Sequence, residues 1–510
     1  MNDRGMGSWT TRRARMTPER AALAQDGVAT TYRELEVRAT RLAHGLRLRG
    51  VERGDRVAYL GWNSVAFVET MFAVAKLGAV VVPLNTRLAA PETAFILADC
   101  APRLLIADQG FDAVLDSGEV RALGLDLVGV DDRVRAGATT LGEIRESGSG
   151  TALDEPIALG DLFMIQYTSG TTGQPKGVML THGNITWNVY NLLVDMDVRS
   201  TEVALVTAPL FHTAALNQAL FPVLLKGGTA LIEAKWDPER ALRLIEKDGV
   251  TMLFGVTSMY QSLALTPGFD TAELSSLRNA LSGGAPIPVA LLQTYRARGL
   301  NIIQGYGLTE ASPGVTMLRD TDPGADGAKL GSAGTPCFFT DVRLTGDSGD
   351  TGEILVQGPN VSPGYWNRPD ATAAAYEAGH WLHTGDLGRR DADGHLYIVD
   401  RLKDMFISGG ENVYPAEVEQ AIYAHAAVAE CAVIGIPDRT WGEVGRAIVV
   451  LRPGAALTEA ELLAFLDTRI ARYKIPKSVV FVDELAHNAS GKLIKARIRE
   501  LHGAVNEENP

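Results

Sequence analysis

A chain of 510 residues is longer than one hydrophobic core can serve, so two or more domains are expected. Its composition, 46% apolar and 21% charged, is that of a soluble globular protein, and its longest apolar passage, over 71–84, is broken by Lys76, Gly78 and Pro83 and falls short of a membrane span. A net charge of −13 argues against nucleic acid as the main partner.

Arg12, Arg13 and Arg15 near the amino terminus have no apolar stretch behind them, so no signal peptide is expected. Cys100, Cys337 and Cys431 follow neither metal nor disulfide spacing, which fits packing residues in a reducing cytoplasm. The first clear helix is predicted after Thr31, with Glu34 completing a capping box and Leu35, Leu42 and Leu46 on one face. A strand over 57–60, a helix over 64–77, a strand over 80–82, a helix over 91–98 and a strand over 104–107 follow. This alternation predicts parallel βαβ units, but between 110 and 156 the pattern fades.

A strand over 162–166 and a helix over 184–196 frame the stretch Tyr167, Thr168, Ser169, Gly170, Thr171, Thr172, Gly173, Gln174, Pro175, Lys176, Gly177, Val178. Glycines let a backbone curl around an anion, hydroxyls and N–H groups donate, and Lys176 adds positive charge, so the loop reads as a polyphosphate cradle. It is not a Walker loop, because Pro175 precedes the lysine and Gly177 follows it. A flexible linker would account for the small residues but not for the embedded lysine.

Strand and helix then alternate again: a strand over 203–207, a helix over 212–225, a strand over 229–232, a helix capped by Asp237 and opened by Pro238, and a strand over 250–255, with further pairs to 301–304. Short strands between turns over 342–399 predict a small antiparallel unit. From about 400 a compact α+β domain is expected, with Pro415 at the first position of a helix, strands over 431–436, 447–451 and 479–482, and a helical face of Leu462, Leu463, Leu466 and Ile470. The basic run of Arg472, Lys474, Lys477, Lys492, Lys495, Arg497 and Arg499 reads as a solvated face or a surface for anionic ligands.

Two further stretches follow predicted strands, where open α/β sheets bind ligands: Ser282-Gly-Gly-Ala-Pro-Ile287 and Gln304-Gly-Tyr-Gly-Leu-Thr-Glu310. The second joins an aromatic face, a hydroxyl and a carboxylate. Together with Thr384-Gly-Asp386, the run over 400–419 and Asn488-Ala-Ser-Gly-Lys492, they occur in the order seen in the adenylate-forming superfamily of acyl-CoA synthetases, peptide-synthetase adenylation domains and beetle luciferases. The phosphate stretch resembles that family's loop nearly letter for letter, and the passages over 84–91, 408–415 and 472–476 resemble bacterial fatty-acyl-CoA and related ligases.

The resemblance implies a large N-terminal AMP- and acyl-binding domain over 1–402, built of two doubly wound parallel-sheet subdomains and a small β unit, and a mobile α+β C-terminal domain over 403–510. It implies ATP-dependent ligation of a carboxylic acid, fatty or aryl, to coenzyme A through an acyl-adenylate, with Mg²⁺. Transfer of the acid, even an inorganic one such as nitrite, to a carrier protein or an amine is the alternative.

By the same resemblance Thr168 to Gly173 and Lys176 hold phosphates, and Gly283, Gly284, Ala285, Tyr306 and Gly307 border adenine and the acyl group. Thr309 bonds phosphate, Glu310 holds Mg²⁺, and Asp386 and Arg401 hold the ribose. Lys492 bridges carboxylate and α-phosphate, although Ala486 and His487 stand where the family usually has Pro-Arg. Lys403 is the pivot; Ser408, Gly409, Gly410, Glu411 and Trp441 line the thiol tunnel; and His212, Leu216, Val256 and Met259 line the acyl pocket. The expected partners are the acid, ATP and coenzyme A, with a carrier protein and a second copy of the chain as further candidates. The expected location is the cytoplasm, peripheral to the membrane if the acid carries a long alkyl chain.

Overall fold

The computed structural model describes residues 2–131, 138–168, 175–284, 287–322, 324–325, 327–346, 351–401, 404–408, 411–438, 441–467, 469–487 and 493–504, with residues 401, 411 and 412 described at the backbone only. Two sheets dominate. The seven-stranded sheet runs Thr139–Thr140, Leu127–Gly129, Leu104–Ala107, Arg56–Leu60, Val80–Pro83, Leu162–Thr168, Lys176–Thr181. Its neighbours are parallel except for the last pair. The nine-stranded sheet runs Thr335–Pro336, Gly314–Met317, Ile302–Gly307, Asn279–Gly283, Met252–Gly255, Val203–Val206, Thr229–Ile232, Ala21–Gln25, Val28–Thr31, parallel in its centre and antiparallel at both edges.

The central strands are buried along their whole length, as in Val80–Pro83 and Met252–Gly255, because helices cover both faces of such sheets. Helix Val65–Leu77 lies in the core that the two sheets share: Phe67, Met71, Phe72 and Val74 cluster with Val81 and Phe163 of one sheet and Val206, Phe254 and Leu281 of the other. Ser64 Oγ caps it by accepting the Phe67 N–H at 3.1 Å, and Gly78 ends it at φ +65°, a backbone region few other residues enter cheaply. The predicted capping box also forms, with Glu34 N–H donating to Thr31 Oγ1 at 3.1 Å and Thr31 N–H to Glu34 Oε2 at 2.7 Å.

Several regions differ from expectation. Helix Gly7–Met16 and strand Ala21–Gln25 precede the first predicted helix, and the strand extends the nine-stranded sheet beside Thr229–Ile232. The stretch over 110–156 contains short pieces, among them Leu127–Gly129 and helix Leu141–Ser147, too brief to give a period. The helix predicted over 212–225 is split: Thr213–Ala215 is α-helical, Leu216–Leu220 is a π-turn, and Phe221–Lys226 is α-helical again. Pro222 has no N–H to donate to the preceding turn, and the Phe221 N–H reaches back to Leu216 O.

The small antiparallel unit is present as a five-stranded sheet built from Asp341–Leu344, Thr351–Gln357, Tyr376–Glu377, Trp381–Arg390 and Leu396–Arg401. The smaller C-terminal part has its own five-stranded sheet, in which Ser478–Phe481 lies parallel to Gly442–Leu451. Helices Pro415–Tyr423 and Glu459–Asp467 bury Val418, Ile422, Leu462 and Leu466 against it. The basic run is mostly ion-paired rather than open to anions: Lys474 with Glu417 at 2.6 Å, Lys495 with Glu419 at 2.9 Å, Arg499 with Asp404 at 2.8 Å and Arg472 with Asp467 at 3.1 Å. The three cysteines are buried and free. Among the described residues no helix is long and apolar enough to cross a membrane.

Candidate active site

The phosphate stretch sits in a hairpin. Strand Leu162–Thr168 leads in, the chain returns as Lys176–Thr181 with Thr168 opposite Lys176, and the helix begins only at His182. Ser169 to Gly173 lie outside the described residues. Lys176 Nζ stands 5.2 Å from the ring centroid of Tyr365, whose hydroxyl donates to Glu310 Oε1 at 2.8 Å. The Tyr365 segment is stitched to the returning strand, with Trp366 N–H donating to Gly177 O at 2.7 Å and Met179 N–H to Gly364 O at 3.0 Å. Lys176 and Glu310, far apart in sequence, therefore meet on one phenol. Burial and the Glu310 carboxylate push the Tyr365 hydroxyl above the ordinary tyrosine range, so it remains a donor.

Thr309 and Glu310 occupy a 3₁₀ turn held by buried asparagines. Asn360 Nδ2 donates to Ala311 O at 2.9 Å and Gly314 O at 2.8 Å, Asn217 Nδ2 to Ser312 O at 2.7 Å, and Asn188 Oδ1 accepts the Gly314 N–H at 2.8 Å. Asn184 Nδ2 serves Pro359 O and Val361 O, and Ser362 N–H donates to Glu310 O at 2.7 Å. These amides satisfy a loop backbone that is removed from water and fix the carboxylate on it.

On the other face of strand Ile302–Gly307, Tyr306 hydroxyl donates to Asp386 Oδ2 at 2.7 Å. The strand segment carrying Asp386 is irregular in register and braced by the neighbouring strand: Gly385, at φ +71°, donates its N–H to Glu353 Oε1 at 3.0 Å, and Glu353 Oε2 lies 2.9 Å from His383 Nδ1. Thr384 Oγ1 accepts the Asp386 N–H at 3.1 Å. Arg401 is the ladder partner of Asp386, so the two expected ribose residues share one register position on neighbouring strands.

The expected acyl pocket has a glycine wall. Gly283 is paired with Gly305, and Gly307 with Gly314. Strand alternation puts Gly283, Gly305 and Gly307 on the face of Leu281 and Ile303, toward the core between the sheets. A Cβ at Gly307 would lie 1.7 Å from Pro313 O, and one at Gly283 3.0 Å from Gly305 O. Gly284 follows at φ +88°, and Ala285 lies outside the described residues. Leu216 is fully buried, Met259 is buried, and Val256 packs against the same cluster. His212 opens the helical segment, its ring 4.7 Å from that of Phe211.

In the C-terminal part, Ser408 is buried and pairs with both Glu411 and Gly442, which brings it beside Trp441. Trp441 is 47% exposed, with Lys477 Nζ 5.9 Å from its ring. Lys403, Gly409, Gly410, the Glu411 side chain and Lys492 lie outside the described residues. Flanking Lys492, His487 and Leu493 form a bridge, and His487 Nε2 lies 2.5 Å from Glu430 Oε1.

Residues 10–366 match the family model described as AMP-binding enzyme, and residues 417–492 that of the AMP-binding enzyme C-terminal domain. The chain belongs to the AMP-binding enzymes. A feruloyl-CoA synthase of an Amycolatopsis species is 50% identical over 510 residues, covering 99% of this chain and 100% of the relative. The long-chain-fatty-acid–CoA ligase FadD13 of Mycobacterium tuberculosis is 39% identical over 512 residues, covering 98% and 99%. Among solved structures, the O-succinylbenzoate coenzyme A synthetase of Bacillus subtilis in complex with ATP and magnesium ion matches with a TM-score of 0.85 at 34% identity, covering 96% and 99%.

The site of this AMP-binding enzyme fits a magnesium ion. Glu310 offers one carboxylate oriented by Tyr365, and among the described residues no group of three or more His, Cys, Asp or Glu gathers to form a protein cage. That is the donor set Mg²⁺ prefers, one or two carboxylates with substrate phosphates completing the shell. Tyr365, Glu353 and His383 were not singled out in the sequence. Each has a partner about 30 or more residues away in sequence, and no local spacing announces such a pairing.

Proposed function

We propose that this chain joins a planar aryl-propenoic acid of the ferulate type to coenzyme A. The overall reaction is that of an AMP-forming acyl-CoA synthetase. The acid's carboxylate attacks the α-phosphate of ATP, pyrophosphate leaves, and the thiol of coenzyme A then attacks the acyl carbonyl and expels AMP. The first step joins two anions, so positive charge must be arranged beforehand. Mg²⁺ on Glu310 would neutralise phosphate charge. Lys176, Thr309 and the hydroxyls of the 168–173 loop would hold the phosphates, Tyr306 would face adenine, and Asp386 with Arg401 would hold the ribose. Lys492 is assigned to the bridge between carboxylate and α-phosphate. Rotation of residues 403–510 about Lys403 would then exchange it for the Ser408–Glu411 hairpin and Trp441, which would admit the thiol.

The observation that carries the choice of acid is the glycine wall. Paired Gly283–Gly305 and Gly307–Gly314 leave these strand ends without side chains, and Leu281 and Ile303 on the same strands belong to the apolar cluster that holds Leu216 and Met259, a setting that suits a flat conjugated ring. The greater identity to the feruloyl-CoA synthase, 50% against 39% for the fatty-acid ligase, points the same way. The test is kcat/KM for pyrophosphate release with ferulate, 4-coumarate, indoleacetate and palmitate, each with and without coenzyme A. A preference for the cinnamate-type acids over palmitate of about 100-fold supports the reading, and a preference for palmitate overturns it. Adenylate without thioester would move the acceptor to a carrier-protein thiol or an amine.

A further inference from the structure

We infer that Gln218 reads a hydroxyl at the far end of the aryl ring, a step that rests on the aryl-acid reading above. Gln218 lies within the π-turn Leu216–Leu220, 9% exposed, with Oε1 buried and no hydrogen-bond partner. No hydrogen bond of its Nε2 is found among the described residues either. Asn217 Oδ1 beside it is also buried without a partner, but the amide nitrogens of its neighbours are used. Asn217 Nδ2 is spent on Ser312 O, and Asn188 spans Gly314 N–H and Asn217 O. A buried amide left unpaired destabilises a fold, and such a group persists where a ligand completes it.

The place is beside the paired glycines. A Cβ built at Gly314 would lie 3.2 Å from Gln218 Nε2 and 2.9 Å from Asn188 Oδ1, so the glutamine amide borders the glycine that faces Gly307. The helical segment enters the core at half-buried His212 and is buried from Thr213 to Leu224 except at Ala214. From His212 to Gln218 the rise is about 9 Å, the reach of a propenoic chain plus one ring. The π-turn also re-aims the side chains that follow its extra residue, which is why such turns collect at functional sites. An amide offers both a donor and an acceptor, and a phenolic hydroxyl answers both.

The experiment compares kcat/KM for adenylation of 4-hydroxycinnamate and of cinnamate in the wild-type chain, in Gln218→Leu and in Gln218→Met. The expected result is a wild-type preference for the hydroxylated acid of about tenfold or more, falling toward one in both variants because the loss falls on the hydroxylated acid. A ratio unmoved by both substitutions, or equal loss on both acids, overturns the role of Gln218 while leaving the aryl reading standing. If the wild-type chain adenylates neither acid but takes palmitate, the aryl reading falls and this inference with it.

Discussion

Lys176 approaches the ring of Tyr365 and Glu310 accepts its hydroxyl, so the residues proposed to hold phosphate and Mg²⁺ meet at this side chain. Tyr365→Phe removes a donor from a carboxylate without removing the ring. We expect kcat for adenylation to fall about tenfold, the size of a charge-assisted hydrogen bond, with a raised Mg²⁺ requirement and little change in KM for the acid. Equal kcat across a Mg²⁺ titration would show that the bond is idle. Glu353 acts one step further out, through the Gly385 N–H. Glu353→Ala is expected to raise KM for ATP about tenfold, and Glu353→Gln, which keeps an acceptor for that N–H, to recover most of the loss. A matching loss in both variants would point to the His383 contact instead. Lys492→Ala should lower pyrophosphate release by about 1,000-fold or more while leaving conversion of preformed acyl-adenylate to thioester largely intact, a split that a misfolded variant would not show.

At the scale of elements, the parts with a local signal were legible and those defined by a distant partner were not. The Thr31–Glu34 capping box, the Asp237 cap and the Gly78 helix end were readable because each is settled within one turn. The return strand Lys176–Thr181 was not, because its pairing with Leu162–Thr168 hides behind a loop that looks like a strand-to-helix turn. The π-turn left only Pro222 as a hint. The glycines over 304–307 were flagged as ligand-facing, but their pairing with Gly283 and Gly314 needed the register.

The amino-terminal helix offers a prediction at this scale. His182 Nδ1 accepts the Met6 N–H at 3.1 Å, and burial holds the imidazole down at about 4 against an ordinary 6.5. The folded chain keeps this ring neutral where the unfolded chain charges it. Its stabilisation is therefore complete above pH 6.5 and drains away as pH falls toward 4, by up to about 3 kcal/mol. In His182→Asn the Tm should fall less steeply between those pH values; an unchanged slope would remove His182 as the cause.

For the whole molecule, the sequence motifs announced an AMP-binding enzyme, and both family matches and full-length relatives bear that out. The acid was harder to read because the features on which the proposal rests, paired glycines and one buried amide, leave no motif. In sequence, the residues proposed for phosphate, ribose and acid all precede 402, and Ser408, Trp441 and Lys492 follow it, an order that suits the proposed successive use of a single site. The most direct test is the stoichiometry of a single turnover with ferulate, ATP, Mg²⁺ and coenzyme A, following pyrophosphate, AMP and thioester together. One of each per ferulate consumed, with pyrophosphate appearing before thioester, is the predicted result. Ferulate left intact while palmitate is converted, or AMP released without thioester, would contradict it.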